Sequence, residues 1–113
     1  TGTDLVALIN KKTKAKAQFN EWEDPFVIDP KTDLVINATS IGLFPDMESD
    51  LPVNYNSLNK AMIVADVIPN PPQTKFLKNC ASIGCSTIDR LEMLVNQVVA
   101  GIELLTGIRL MNP

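Results

Sequence analysis

The chain has 113 residues, of which 45% are hydrophobic and 20% charged, the balance of a globular unit rather than a disordered or fibrous segment. It contains no histidine, which excludes Ser-His and Cys-His nucleophile pairs, imidazole zinc ligands and a histidine general base. Ten basic and thirteen acidic residues leave a net charge of −3, without the basic excess that a nucleic-acid-binding surface requires.

In chain order, Asp4-Leu5-Val6-Ala7-Leu8-Ile9 is almost continuously apolar and reads as a strand buried on both faces. It ends in Asn10-Lys11-Lys12-Thr13, and the Ala- and Lys-rich stretch from Lys14 to Phe19 reads as a short helix. Phe26-Val27-Ile28, between Pro25 and Pro30, is a candidate small strand. Asp33-Leu34-Val35-Ile36-Asn37 is a second buried strand that stops at Ala38-Thr39-Ser40, and a loop follows to Pro52. Met62-Ile63-Val64-Ala65 is a strand ending at Asp66, after which Pro69, Pro71 and Pro72 forbid regular structure. Thr74 caps a helix over Lys75 to Ser82, and Gly84 suits its stop. Ser86-Thr87-Ile88 is the last candidate strand. Arg90 to Thr106 is the longest helix, apolar nearly all round and therefore expected to be covered on most sides. No apolar run approaches the roughly 18 residues that span a bilayer. Cys80 and Cys85 have no second cysteine pair, so a reduced, cytoplasmic protein with neither disulfide framework nor zinc knuckle is expected.

Strands alternating with helices predict an α/β fold with a doubly wound parallel sheet, in which ligands bind beyond the carboxyl ends of the strands. Polar residues collect after each buried run, at Asn10–Thr13, Asn37–Ser40 and Asp66–Asn70. Solvated loops would look the same, so each set has a structural reading beside the functional one. In the first, Lys11 and Lys12 can neutralise a phosphate and Thr13 can donate to it, whereas an acid there would favour a free ribose 2′-hydroxyl. Asp66 is either a catalytic carboxylate or a turn cap. Gln97, a polar residue on an apolar helix, is either packed and internally satisfied or a ligand-binding amide. No G-x-G-x-x-G occurs among the five glycines, so the pyrophosphate cradle of a dinucleotide fold is not in this sequence.

Four ordered motifs resemble the C-terminal half of the shikimate/quinate dehydrogenases: Asn37-Ala38-Thr39-Ser40-x-Gly42, Asp66-Val67-x-x-Asn70-Pro71-x-x-Thr74, Gly84-Cys85-x-x-Ile88-Asp89 and Met93-Leu94-Val95-x-Gln97. The resemblance runs from Asn10-Lys11, similar to the Asn-Arg-Thr phosphate clamp of that family, to Thr106-Gly107. It implies a Rossmann-like domain, residues 1–113, lacking the first strand and Gly-rich loop, which would lie upstream of Thr1. It further implies NADP as cofactor and hydride transfer between NADPH and 3-dehydroshikimate, with quinate as the alternative substrate. Asn10, Lys11, Lys12 and Thr13 would hold the 2′-phosphate. Thr39 and Ser40 would line the cofactor groove, the Val67 backbone would meet the nicotinamide amide, and Gln97 would touch substrate hydroxyls. The catalytic Lys and Asp of that family lie in an N-terminal substrate domain with no counterpart here, which the 90–106 helix would contact. This sequence departs from the pattern at Pro69, where a substrate-facing Tyr is usual. It departs again at Arg90-Leu91-Glu92 in place of Gly-x-Gly, where the Arg90 side chain would crowd the nicotinamide, and at Lys11 in place of Arg.

These departures favour an alternative from another class, a catalytically inactive Rossmann-like binding or regulatory module. In the strand order 3-2-1-4-5-6 the first strand is central. Without it the Asp4–Ile9 and Asp33–Asn37 strands share no neighbour, so either upstream residues complete the sheet or the strands re-pair.

Overall fold

The computed structural model describes residues 1–68 and 71–110; Pro69 and Asn70, two positions singled out above, lie outside them. Its elements are α1 (Gly2–Lys12), β1 (Leu34–Asn37), a 3-10 turn (Tyr55–Ser57), β2 (Ile63–Asp66), α2 (Lys75–Ile83), β3 (Ser86–Ile88) and α3 (Arg90–Thr106). The three strands form one parallel sheet in the order β1-β2-β3. Leu34 pairs with Ile63 and Ile63 with Ser86; Asn37 pairs with Asp66. The α/β class and the parallel sheet expected from the alternating pattern are therefore present.

The alternation along the strands divides the sheet into two unlike faces. Asn37, Val64 and Asp66 are buried, and Val35 packs against the same core. Leu34, Ile36 and Ile63, on the opposite face, are exposed. The covered face receives α2, whose Phe76, Leu77 and Cys80 sit at helical spacing and are all buried. Ile28 from the segment before β1, and Leu51, Val53 and Leu58 from the β1–β2 connection, complete the cluster around Met62 and Val64, both 0% exposed. Thr74 caps α2 by accepting from Leu77 N, and Gly84 ends it at φ 107°. A side chain at Gly84 would be strained by that angle and would also meet Lys60 Cγ at 3.0 Å.

Four expectations are corrected. Asp4–Ile9 is not a strand but the body of α1. A capping box explains why: Thr1 Oγ1 accepts from Asp4 N and donates to Asp4 Oδ2, and Lys11 and Lys12 complement the negative end of the helix. The apolar residues Leu5, Val6, Leu8 and Ile9 fit a helical period as well as a strand, and a helix satisfies its own backbone without a neighbour. Lys14–Phe19 has no regular structure, and Phe26–Ile28 contributes only an isolated parallel bridge, Phe26 to Val53. The expected cover over α3 is also absent among the described residues. α3 buries none of its residues, and Leu104 and Leu105 are each 87% exposed.

Met62→Ala should cost about 2–5 kcal/mol, because a side chain with no exposure leaves a cavity that its neighbours cannot fill; the shift in urea midpoint at unchanged slope checks this. Burial, with smaller contributions from the Cys85, Asp50 and Asp66 charges, pushes the Cys80 thiol from 9.0 up to about 12. The unfolded chain then loses this proton while the folded one keeps it, so stability should fall as pH rises between about 9 and 12. Urea midpoints at about pH 8 and about pH 10.5 measure the slope, and Cys80→Ala should reduce it.

Candidate functional site

The carboxyl ends of β1 and β2 carry a buried polar cluster. Asn37 and Asp66 occupy the inward phase of their strands, two residues beyond Val35 and Val64, so their side chains enter the covered layer. The Asp66 carboxylate, 1% exposed, accepts three hydrogen bonds: from Ile68 N at 2.9 Å, Thr74 Oγ1 at 2.7 Å and Asn37 Nδ2 at 3.1 Å. Thr74 in turn accepts from Leu77 N, so one hydroxyl joins the carboxylate to the start of α2. No described buried side-chain polar atom lacks a partner. Asp66 is therefore a structural tie rather than a free catalytic acid. It fixes the loop after β2, the end of β1 and the N-terminus of α2 in one arrangement.

The residues around this cluster form the rim of the strand ends. Asn37 Oδ1 accepts from Thr39 N at 3.0 Å and Thr39 Oγ1 at 2.7 Å, and Thr39 Oγ1 accepts from Ile41 N. Thr39 and Ser40 are exposed; the Thr39 hydroxyl is already engaged, and the Ser40 carbonyl accepts from Leu43 N. Gly42, at φ 90°, supplies a turn conformation that L side chains rarely adopt. Val67 N continues the β1–β2 pairing by donating to Asn37 O at 3.1 Å. Arg90, the first residue of α3, donates from Nη1 to the Val67 carbonyl at 3.1 Å. Asp89 caps α3 by accepting from Glu92 N. Thr39, Ser40, Val67 and Arg90 thus gather around the ends of adjacent strands, where an open α/β sheet binds ligands.

The other expected site residues lie elsewhere. Asn10, Lys11, Lys12 and Thr13 are all exposed at the C-terminal end of α1 and just beyond it, not at a strand end. Asn10 clasps Ala17, accepting from its N–H at 2.7 Å and donating to its carbonyl at 3.0 Å. Thr13 Oγ1 donates to Ile9 O and accepts from Ala15 N. Among the described residues no hydrogen bond or ion pair connects these four to Thr39, Ser40, Val67 or Arg90. The Asn10 and Thr13 polar atoms are thus engaged within residues 9–17. Lys11 and Lys12 keep their ammonium groups in solvent. Gln97 is exposed on α3, so it is not a buried amide needing protein partners. The Asn37–Asp66–Thr74 cluster was missed as a unit. The available signal was parity, because each strand places its terminal polar residue in phase with a buried valine.

No protein-family profile matches the chain. The shikimate dehydrogenase (NADP(+)) of Methanococcus aeolicus is 38% identical over 77 residues, covering 68% of this chain and 28% of that protein. This chain is a homologue of part of the shikimate/quinate dehydrogenases. The ligand-free 5-ketofructose reductase of a Gluconobacter strain superposes with a TM-score of 0.87 at 49% identity, over 97% of this chain and 39% of that one. The Listeria monocytogenes shikimate 5-dehydrogenase, solved with shikimate and NAD, gives 0.78 at 28% identity, over 96% of this chain and 38% of that one. The chain spans less than two fifths of the length of each of these homologues.

Asp66→Ala should destabilise the fold by about 2–4 kcal/mol, because it leaves three buried donors without an acceptor. Thr74→Ser, which keeps the bridging hydroxyl, should cost under about 1 kcal/mol, and Thr74→Val clearly more. Chemical denaturation of the three variants tests the order.

Proposed function

We propose that this chain is the cofactor-binding part of an NADP-dependent oxidoreductase of the shikimate/quinate dehydrogenase type, acting on a polyhydroxylated carbonyl compound. The reading rests chiefly on the pre-set strand-end rim: Thr39 and the Val67 backbone are held by a buried cluster, with Ser40 next in the chain, at the place where parallel sheets bind nucleotides. NADPH, when bound, supplies the hydride for the carbonyl carbon. Thr39, Ser40 and Val67 would position the nicotinamide side, beside Arg90. Asn10, Lys11, Lys12 and Thr13 would hold the 2′-phosphate, the two lysines neutralising its charge. Gln97 would face the substrate.

The Gly-rich loop and the proton-transfer residues would come from polypeptide outside these 113 residues, so the chain alone should show no turnover. Residues 1–113 would form one partial nucleotide-binding domain. The apolar surface of α3, including Leu91, Val98 and Ile102, supports contact with a separate substrate domain. Cys80 and Cys85 are both free thiols, which supports a reducing, cytoplasmic setting. Among the described residues no helix is long and apolar enough to cross a membrane.

For the substrate, one observation favours a second reading over shikimate or quinate. Identity to the 5-ketofructose reductase, 49% across almost the whole chain, exceeds the 38% over 77 residues to a shikimate dehydrogenase. A ketosugar lacks the ring carboxylate of shikimate, so the two classes need different polar partners. The inactive binding module remains the rival from another class, resting on Arg90 and Glu92.

The test is made on the full-length polypeptide. NADPH should bind, and changing Lys11 and Lys12 together to Ala should weaken it by roughly tenfold while changing NADH binding much less. Absorbance at the NADPH band reads the reaction, falling with NADPH and 5-ketofructose or 3-dehydroshikimate and rising with NADP+ and quinate. Binding without turnover of any carbonyl supports the inactive module, and no binding of either nucleotide removes the reading.

A further inference from the structure

Arg90 occupies an unusual position for a cation. It is the first residue of α3, where the helix dipole is already positive and an acidic residue would be stabilising. Among the described residues it forms no ion pair. Its hydrogen-bond partner is the Val67 carbonyl, reached by Nη1 at 3.1 Å across 23 residues of sequence. A guanidinium has five N–H donors, so this single contact leaves most of its hydrogen-bonding capacity in solvent. Nor does the contact serve the core, since the Arg90 side chain is exposed. The Val67 carbonyl is the outward group of a residue whose N–H is fixed to Asn37 O, and the Asp66–Ile68 bond holds the loop on its other side. The carbonyl therefore cannot turn away; Arg90 takes one of its two lone pairs, and a donor approaching from that side must displace it.

We infer that Arg90 is a built-in competitor for the nicotinamide subsite: its guanidinium holds the Val67 carbonyl until a carboxamide N–H exchanges for it. The inference rests on the proposed function, which places the nicotinamide at Val67. It goes beyond that reading by making Arg90 a regulator of affinity rather than a ligand of the cofactor. Exchange replaces one exposed hydrogen bond by another, so its cost is modest. The cost falls only on ligands that carry the nicotinamide. The adenosine 2′-phosphate end, far along the nucleotide, does not depend on the exchange.

That asymmetry gives the experiment. Dissociation constants of NADPH and of 2′-phospho-ADP-ribose, which lacks the nicotinamide, are measured by calorimetry on the full-length polypeptide and its Arg90→Ala and Arg90→Gly variants. The ratio of the two affinities removes any general effect of the lost charge on phosphates. Both variants should raise that ratio in favour of NADPH by roughly three- to tenfold, with the affinity for 2′-phospho-ADP-ribose changed little beyond the charge effect. Arg90→Lys, which keeps the charge but loses the planar fork, should give an intermediate ratio. An unchanged or lowered ratio in both variants overturns the competitor role while leaving the nucleotide-binding reading intact. Failure of the unsubstituted protein to bind either ligand overturns both.

Discussion

A carboxylate with almost no exposure and, among the described residues, no ion-pair partner governs this molecule. Burying such a charge costs several kcal/mol unless hydrogen bonds replace the lost water. Asp66 meets that demand with three donors drawn from three different places: the end of β1, the loop after β2 and the cap of α2. Each donor is held to a distance near 3 Å, so none of the three segments can shift without exposing part of the charge. The rigidity of the strand-end rim is a consequence of this one satisfied group. Thr39 and Val67 inherit their positions from Asn37, which is itself tied to Asp66.

Packing has a second, asymmetric consequence. Doubly wound parallel sheets are normally covered on both faces. Here α2 and the connection through Leu51, Val53 and Leu58 cover one face, and Leu34, Ile36 and Ile63 remain open on the other. α1 and α3 likewise bury no residue. The core is consequently built around β2, the central strand, while the apolar surfaces of the flanking helices are left for other contacts. The expected site residues follow the same division: Thr39 and Val67 are tied to the covered side through Asn37, and Lys11, Lys12 and Gln97 lie on the unburied helices.

Much of the central architecture was legible in the sequence. Leu34–Asn37, Ile63–Asp66 and Ser86–Ile88 have the apolar, β-branched character that a parallel strand requires, and Thr74 and Gly84 bracket α2 by cap chemistry that is local. The bounds of α3 were legible for the same reason, through Asp89 and Gly107. Asp4–Ile9 misled because a short apolar run satisfies both periods. The deciding information lay in the Thr1–Asp4 box and in the availability of a strand neighbour, a tertiary fact. The family resemblance was legible from four spaced motifs, whereas the joint role of Asn37, Asp66 and Thr74 was not. Their contacts span 29 and 8 residues, and only the parallel register between β1 and β2 brings them together. The Arg90–Val67 contact likewise depends on where α3 begins relative to β2.

The capping box of α1 also bears on the order in which the chain acquires structure. Every bond in α1 closes within a few residues, and such helices form in about a microsecond or less. The sheet joins Leu34 to Ile63 and Ile63 to Ser86, contacts that require long loops to close first and therefore form more slowly. A lone helix of this length is marginal in water and exchanges with unfolded chain long before the strands meet. Drawing Leu5–Ile9 into a sheet would therefore cost the free energy of the Thr1–Asp4 cap without adding a slow step.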